Sequence, residues 1–287
     1  MKYYEHGDKI TVEDIDSFDI EQILECGQCF RFNKLDSKEY IIIARGKVLH
    51  IEQKDDKVDF YPCTKDDFEN IWIKYFELDR DYMEIKEILS KDDVLKKAVA
   101  FAPGIRILKQ DPWECLISFI ISQNNRIPMI KQVIKNISEK YGEKTGDYFL
   151  FPTLEQLKKA STEDLMSCKT GFRAKYIMDG VKNVSEKTVN FKELENLPTF
   201  EVRQKLMKIK GVGEKVSDCV MLFSMDRKEV FPTDVWVKRV MEYFYFDEKD
   251  TKIKEIHSFA EEKFGEYAGF AQQYLFHYAR RMKIGTK

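Results

Sequence analysis

The chain has no apolar run of the roughly 18 residues that a membrane-spanning helix requires, so no membrane association is expected of it. Its opening stretch, MKYYEHGDKITVEDID, is too polar for a signal peptide. No segment repeats at a fixed period, and no low-complexity linker divides the chain. A disulfide framework is missing as well. Cys26, Cys29, Cys63, Cys115, Cys168 and Cys219 are scattered among apolar neighbours, which suits a reducing compartment. An intracellular protein is expected, in the cytoplasm or nucleoid if the source is prokaryotic. Cys26 and Cys29 form a Cys-x-x-Cys, but no second Cys/His pair stands at a ligand-like spacing, so structural thiols are favoured over a metal or redox pair.

Charge is balanced overall, with a formal net of -2, yet unevenly placed. Residues 1–100 carry 16 Lys/Arg against 24 Asp/Glu, whereas residues 101–287 carry 32 against 26. A polyanion would therefore prefer the C-terminal two thirds. Charge alone does not establish such a partner.

Short β-branched or aromatic runs at 40–44, 47–51 and 57–61, punctuated by Arg45-Gly46 and Asp55-Asp56, predict an antiparallel meander. From about residue 64 the pattern is helical almost to the end. Asp111-Pro112-Trp113-Glu114 is a capping box with proline at the first helical position. It launches Cys115 to Ile121, apolar nearly all round and hence a central buried helix. Ser122 to Pro128 should break that helix before a second one resumes at Met129. Further helices are expected over 154–167, 199–209, 214–226, 234–246, 251–264 and 267–283. The fold class is α+β: an N-terminal antiparallel sheet layer with flanking helices (1–108) packs on a mainly helical body (109–287) that contains a helical hairpin (199–226).

Chemistry concentrates in that hairpin. Gly211-Val212-Gly213 joins two apolar helical patterns; its glycines permit positive φ and leave bare amides that a phosphate can approach. A plain structural turn reads equally well from the glycines alone. Lys215 follows in the first turn of the second helix, where the positive end of the helix dipole favours the neutral amine. An amine attacking a sugar C1′ gives an iminium that activates the neighbouring carbon for elimination. Asp234, after Phe231-Pro232-Thr233, is placed to cap a third helix, where backbone N–H donors favour the carboxylate form. Such a carboxylate would stabilise an oxocarbenium-like transition state. Either residue alone reads as a solvated lysine or an ordinary cap; the combination is an active-site candidate. Thr170 to Tyr176 adds an aromatic and a cation at a helix start, suited to stacked bases and phosphates.

The joint pattern Leu206-x-x-Ile209-x-Gly211-Val212-Gly213-x-Lys215 and Pro232-x-Asp234 resembles the helix-hairpin-helix GPD superfamily of DNA glycosylases. Further segments are similar to its 8-oxoguanine DNA glycosylase/AP lyase branch: Gly27-Gln28-Cys29-Phe30-Arg31, Gln110 to Cys115 with Ser122 to Asn125, Gly171 to Tyr176, and Gly265 to Gln272 followed by Leu275-Phe276. The resemblance implies excision of 8-oxoguanine from duplex DNA by a monomer, followed by strand cleavage. In it, Lys215 would be the Schiff-base nucleophile and Asp234 the catalytic carboxylate. Cys219 and Phe276 would sandwich the flipped base, Gln272 would bond its Watson–Crick edge, and the Gly27 carbonyl would accept the N7–H that guanine lacks. Asn124 would fill the gap in the duplex, with Phe172 and Arg173 at the opposite base. Gly211 and Gly213 would grip a phosphate, and the carbonyls of Met207, Ile209 and Val212 would hold a structural monovalent or divalent cation. No cofactor is implied for the chemistry.

Three positions depart from the resemblance. Met129 stands where animal members carry a second arginine reading the opposite cytosine, which predicts weaker opposite-base discrimination. Trp236 and Ala279 replace a histidine and its acidic partner, implying a repacked phosphate contact. Lys210 replaces a proline before the hairpin turn. No four-cysteine cluster follows Asp234, which disfavours the iron–sulfur branch. An alkylated-purine glycosylase acting through water and Asp234, or a non-enzymatic DNA-binding hairpin, are the alternatives.

Overall fold

The computed structural model describes residues 1–285. Six strands form one antiparallel sheet: β1 (Lys2–His6), β2 (Lys9–Glu13), β3 (Phe32–Asp36), β4 (Glu39–Ala44), β5 (Lys47–Lys54) and β6 (Lys57–Tyr61). Their order is β1-β2-β6-β5-β4-β3. The expected meander is β4 to β6, but the sheet is wider than it. β2 pairs with β6, Ile10 opposite Phe60 and Val12 opposite Val58. Ile10 and Val12 point inward from an otherwise polar strand, so the first strands are amphipathic in the period-2 sense that only two apolar residues can show.

Ten helices of about two turns or more follow: α1 (Tyr82–Leu89), α2 (Asp93–Phe101), α3 (Pro112–Ser122), α4 (Ile127–Tyr141), α5 (Ala174–Ser185), α6 (Thr199–Leu206), α7 (Glu214–Ser224), α8 (Val235–Tyr245), α9 (Ile253–Phe264) and α10 (Ala268–Met282). The expected arrangement, a sheet layer on a helical body, is therefore what the chain adopts. Local expectations fail in three places. The stretch 154–167 is two short helices, because Ser161 caps a new one at Thr162–Ser167 through a capping box with Asp164. Pro128 does not break α4; it occupies the first turn, where the missing N–H is no loss. A two-stranded hairpin, Lys144–Thr145 with Tyr148–Phe149, interrupts the helical run.

α3 is the central helix. Every residue from Cys115 to Ile121 is buried, and α3 packs along α7. Two apolar cores result. One lies under the sheet and includes Ile10, Ile20, Tyr40, Leu49, Phe60 and Trp72; the other fills the helical body and takes in α1 and α2 as well. The chain crosses between them at Cys26–Phe32. Cys26 and Phe30 belong to the helical core, while Cys29 and Phe32 belong to the sheet core. Gly27 sits at that seam. None of the helices among the described residues is long and apolar enough to cross a membrane.

Candidate active site

α6 ends at Leu206, and the chain turns through Gly211 into α7. Gly211 has φ +81, and a Cβ there would lie 2.4 Å from the Tyr176 ring. Glycine is thus required twice over at this position, by conformation and by the aromatic from α5 pressed on the turn. Gly213 differs from expectation. Its φ is -102, so no positive φ is needed, and open space surrounds it. It occupies the N-cap of α7 without a side-chain cap, leaving the first N–H groups of the helix for an external acceptor.

Lys215 extends from the first turn of α7 to within 3.5 Å of Ser122 Oγ at the end of α3, with its ammonium 5.2 Å from the centre of the Phe119 ring. One turn further on, Cys219 is buried, and burial pushes its thiol up to about 12 despite the neighbouring charge of Lys215. The thiol also feels the carboxylate of Asp234, which brings α7 and the start of α8 into one electrostatic neighbourhood. Asp234 Oδ1 accepts from the N–H groups of Trp236 and Val237, both at 2.9 Å. The carboxylate is fixed by its own helix, as its position before an apolar periodic run implies.

α10 forms the facing wall. Gln272, Phe276 and Arg280 recur every four residues and share one stripe of this helix. Gln272 is buried and its Oε1 has no hydrogen-bond partner. Gly27, at φ +84, comes against the same stripe: a Cβ there would lie 2.9 Å from Phe276 Cε1. Three glutamines hold the Gly27 loop. Gln28 Nε2 donates to the carbonyls of Ile23 and Arg106, Gln110 Nε2 donates to the Gln28 carbonyl at 2.7 Å, and Gln273 Nε2 donates to the Cys26 carbonyl at 3.0 Å. Among the described residues, the Gly27 carbonyl itself accepts nothing. Gln110 and Gln273 carry no reactive group; the sequence marked Gln110 only through the stretch in which it stands and Gln273 not at all.

A second group gathers at the end of α3. Asn124 is exposed at φ +47. Arg173 donates through Nε to the Gln123 carbonyl at 2.8 Å and through Nη2 to the Asn124 carbonyl at 2.9 Å, with Thr170 O a further acceptor. Arg173 is buried here, and burial lowers its pKa; it organises the loop that presents Asn124. Phe172 is exposed, as is Met129, and the Arg173 guanidinium lies 4.4 Å from the Phe172 ring centre. Trp236, half-buried, lies under Arg239 at 5.5 Å.

At the hairpin turn, the Ile209 carbonyl accepts from Val212 N–H at 3.0 Å. The carbonyls of Met207 and Val212 accept no hydrogen bond among the described residues. Two uncommitted carbonyl oxygens on one turn suit a hard cation.

Comparison with known proteins covers most of the chain. Residues 9–116 match the model of the 8-oxoguanine DNA glycosylase N-terminal domain, and residues 117–266 match that of the HhH-GPD superfamily base excision DNA repair proteins. The chain is similar to a solved Clostridium acetobutylicum 8-oxoguanine glycosylase/lyase bound to double-stranded DNA with cytosine opposite 8-oxoguanine. The two are 45% identical, covering 99% of each chain, with a TM-score of 0.96. It is also 31% identical to the N-glycosylase/DNA lyase OGG1 of Arabidopsis thaliana, over 87% of this chain and 74% of that one. With the N-glycosylase/DNA lyase of Saccharomyces cerevisiae it shares 30% identity, over 90% and 82% of the two chains.

Proposed function

Because the chain belongs to the helix-hairpin-helix GPD superfamily, in its 8-oxoguanine DNA glycosylase/lyase branch, we propose that Lys215 and Asp234 carry the reaction while Gly27, Cys219, Gln272 and Phe276 hold the base. The protein is a bifunctional N-glycosylase/AP lyase that excises 8-oxoguanine from duplex DNA in base excision repair. Acting on cellular DNA, it works inside the cell, in the cytoplasm or nucleoid if the source is prokaryotic.

The target carbon is out of reach inside the stack, so the nucleotide leaves the duplex first. Asn124 and Phe172, exposed on neighbouring loops, are suited to fill the vacated space and to wedge beside the opposite base. The bare N–H groups at Gly211 and Gly213 suit a backbone phosphate, and Trp236 suits a neighbouring one. The Lys215 amine, in its neutral form, adds to C1′ as the C1′–N9 bond breaks. The base leaves with the electron pair and takes up a proton. Asp234 supplies negative charge beside the developing oxocarbenium ion. Opening of the sugar gives an iminium, whose acidic C2′ hydrogen is lost as the 3′ phosphate is expelled. The carbonyls of Met207, Ile209 and Val212 would hold a cation that stiffens the turn; no step passes through it.

One observation carries the assignment of the nucleophile: Lys215 stands in the first turn of α7, reaches to Ser122 Oγ and, among the described residues, has no carboxylate partner. Incubation with 8-oxoguanine duplex and borohydride is expected to trap a covalent adduct. An adduct that persists in Lys215→Gln would reassign the nucleophile.

A further inference from the structure

Arg280 has no role in the mechanism above, yet it occupies the wall that meets the base. It lies one turn beyond Phe276 on the Gln272–Phe276–Arg280 stripe, with its guanidinium carbon 5.8 Å from the Phe276 ring centre. Its Nη1 is buried and has no hydrogen-bond partner. It lies 3.2 Å from the point a Gly27 Cβ would occupy. Among the described residues Arg280 makes no ion pair. The charges that reach it are those of Asp234 and Glu25, which favour its cation, and Arg281, which opposes it. A buried N–H without a partner is costly and is ordinarily satisfied. Here the unpaired donor lies beside the residue whose carbonyl is also unengaged, Gly27.

We propose that Arg280 is a specificity-determining residue, which donates a hydrogen bond to O8 of 8-oxoguanine while the Gly27 carbonyl accepts from N7–H. The inference rests on the reading in which the flipped base lies against Phe276 with Gly27 at N7. 8-Oxoguanine presents N7–H and C8=O side by side, a donor next to an acceptor. The Gly27 carbonyl and Arg280 Nη1, on residues that meet at the seam, are the complementary acceptor and donor. Guanine mismatches both. Its N7 lone pair faces a carbonyl, and its C8–H leaves the guanidinium unpaired. Gln272, bonding the Watson–Crick edge, fixes the base so that Arg280 meets position 8 rather than N7. Two contacts on two adjacent atoms then discriminate where one would otherwise have to.

The test is a set of dissociation constants in the Lys215→Gln background, which forms no covalent adduct. Three duplexes carry 8-oxoguanine, guanine or a tetrahydrofuran abasic analogue at the same position. Adding Arg280→Met, which keeps an unbranched apolar stem over Phe276, should weaken 8-oxoguanine binding roughly 10- to 100-fold. It should change guanine and abasic binding by less than about threefold on the same reasoning. An equal loss on all three duplexes would make Arg280 a phosphate contact or a packing residue and overturn the proposal. So would no loss on any of them, or tighter binding of guanine. If Arg280→Met does not fold, as judged by thermal melting, Arg280→Lys serves: a partial loss confined to 8-oxoguanine supports O8 reading, and a uniform loss refutes it. A failure of Lys215→Gln alone to prefer 8-oxoguanine over guanine would instead unseat the base-pocket reading beneath it.

Discussion

The hairpin and the base-facing wall solve opposite problems. In the hairpin and the start of α8 the geometry is fixed by protein contacts: Asp234 by the N–H groups of its own helix, the Gly211 turn by the Tyr176 ring from α5. On the wall, Gln272 Oε1 and Arg280 Nη1 are buried without partners, and Gly27 is held in place while its carbonyl stays unengaged. The carboxylate of the first region is fixed before DNA arrives, as fits a group that must be positioned for any sugar. The second keeps its hydrogen-bonding capacity open, so the correct base relieves a cost that a wrong base leaves standing.

If that contrast holds, changes in the hairpin should remove rate and spare recognition. Asp234→Asn retains a good capping side chain but removes the charge. Excision is expected to fall by about 10²- to 10³-fold while the dissociation constant for 8-oxoguanine duplex is nearly unchanged; single-turnover kinetics beside binding titrations check this. A large loss of binding would erase the distinction. The converse change is Gly27→Ala. A methyl at φ +84, meeting Phe276 at 2.9 Å, costs roughly 1–2 kcal/mol in backbone conformation alone. It should lower 8-oxoguanine affinity about 10- to 100-fold by displacing the ring, with undamaged duplex bound as before.

Opposite-base choice probes a third surface. Met129 is exposed where a second cation would stand, and Arg173 already donates to the Gln123 and Asn124 carbonyls. Excision rates opposite C, T, G and A should therefore span less than about a hundredfold, roughly 2.7 kcal/mol. A wider span in favour of C would mean that Arg173 leaves its loop carbonyls to read the base.

A control lies outside both regions, where no effect on base preference is expected. Burial raises the Glu114 carboxyl to about 7 despite Arg31 at 3.8 Å. A carboxyl raised in the folded state loses stability as pH climbs from its ordinary range through 7, here by up to about 3 kcal/mol. Glu114→Gln should thus be the more stable protein at pH 8 and no better than the parent at pH 4. Denaturant midpoints at the two pH values test this, and base preference should not move.

Legibility in the sequence followed the same division. The hairpin residues lie within thirty positions of one another, and capping chemistry, glycine and helical period announce them. The wall is assembled from the two ends of the chain. Gln273 bonds the Cys26 carbonyl across 247 positions, and no periodicity links those segments; the resemblance supplied Gly27, Gln272 and Phe276. Arg280 gave no sign of a role in the sequence, because its burial depends on packing near Gly27 and Phe276. β1 and β2 escaped notice because two inward residues, Ile10 and Val12, are too few to show alternation. The loop-holding work of Arg173 was equally hidden, since carbonyl acceptors leave no mark on residue type.

Burial of the six cysteines has a consequence for the conditions in which the protein works. All are free thiols; Cys219, proposed to hold the base, and Cys26, next to Gly27, are pushed up to about 12 and about 11 by burial. Peroxide oxidises the thiolate far faster than the thiol. Guanine is oxidised in cells when oxidants are abundant, which is also when an exposed, acidic cysteine beside the pocket would become a sulfenic acid. Protonated and shut from solvent, the sulfur of this pocket is poorly reactive toward the stress whose product the enzyme removes.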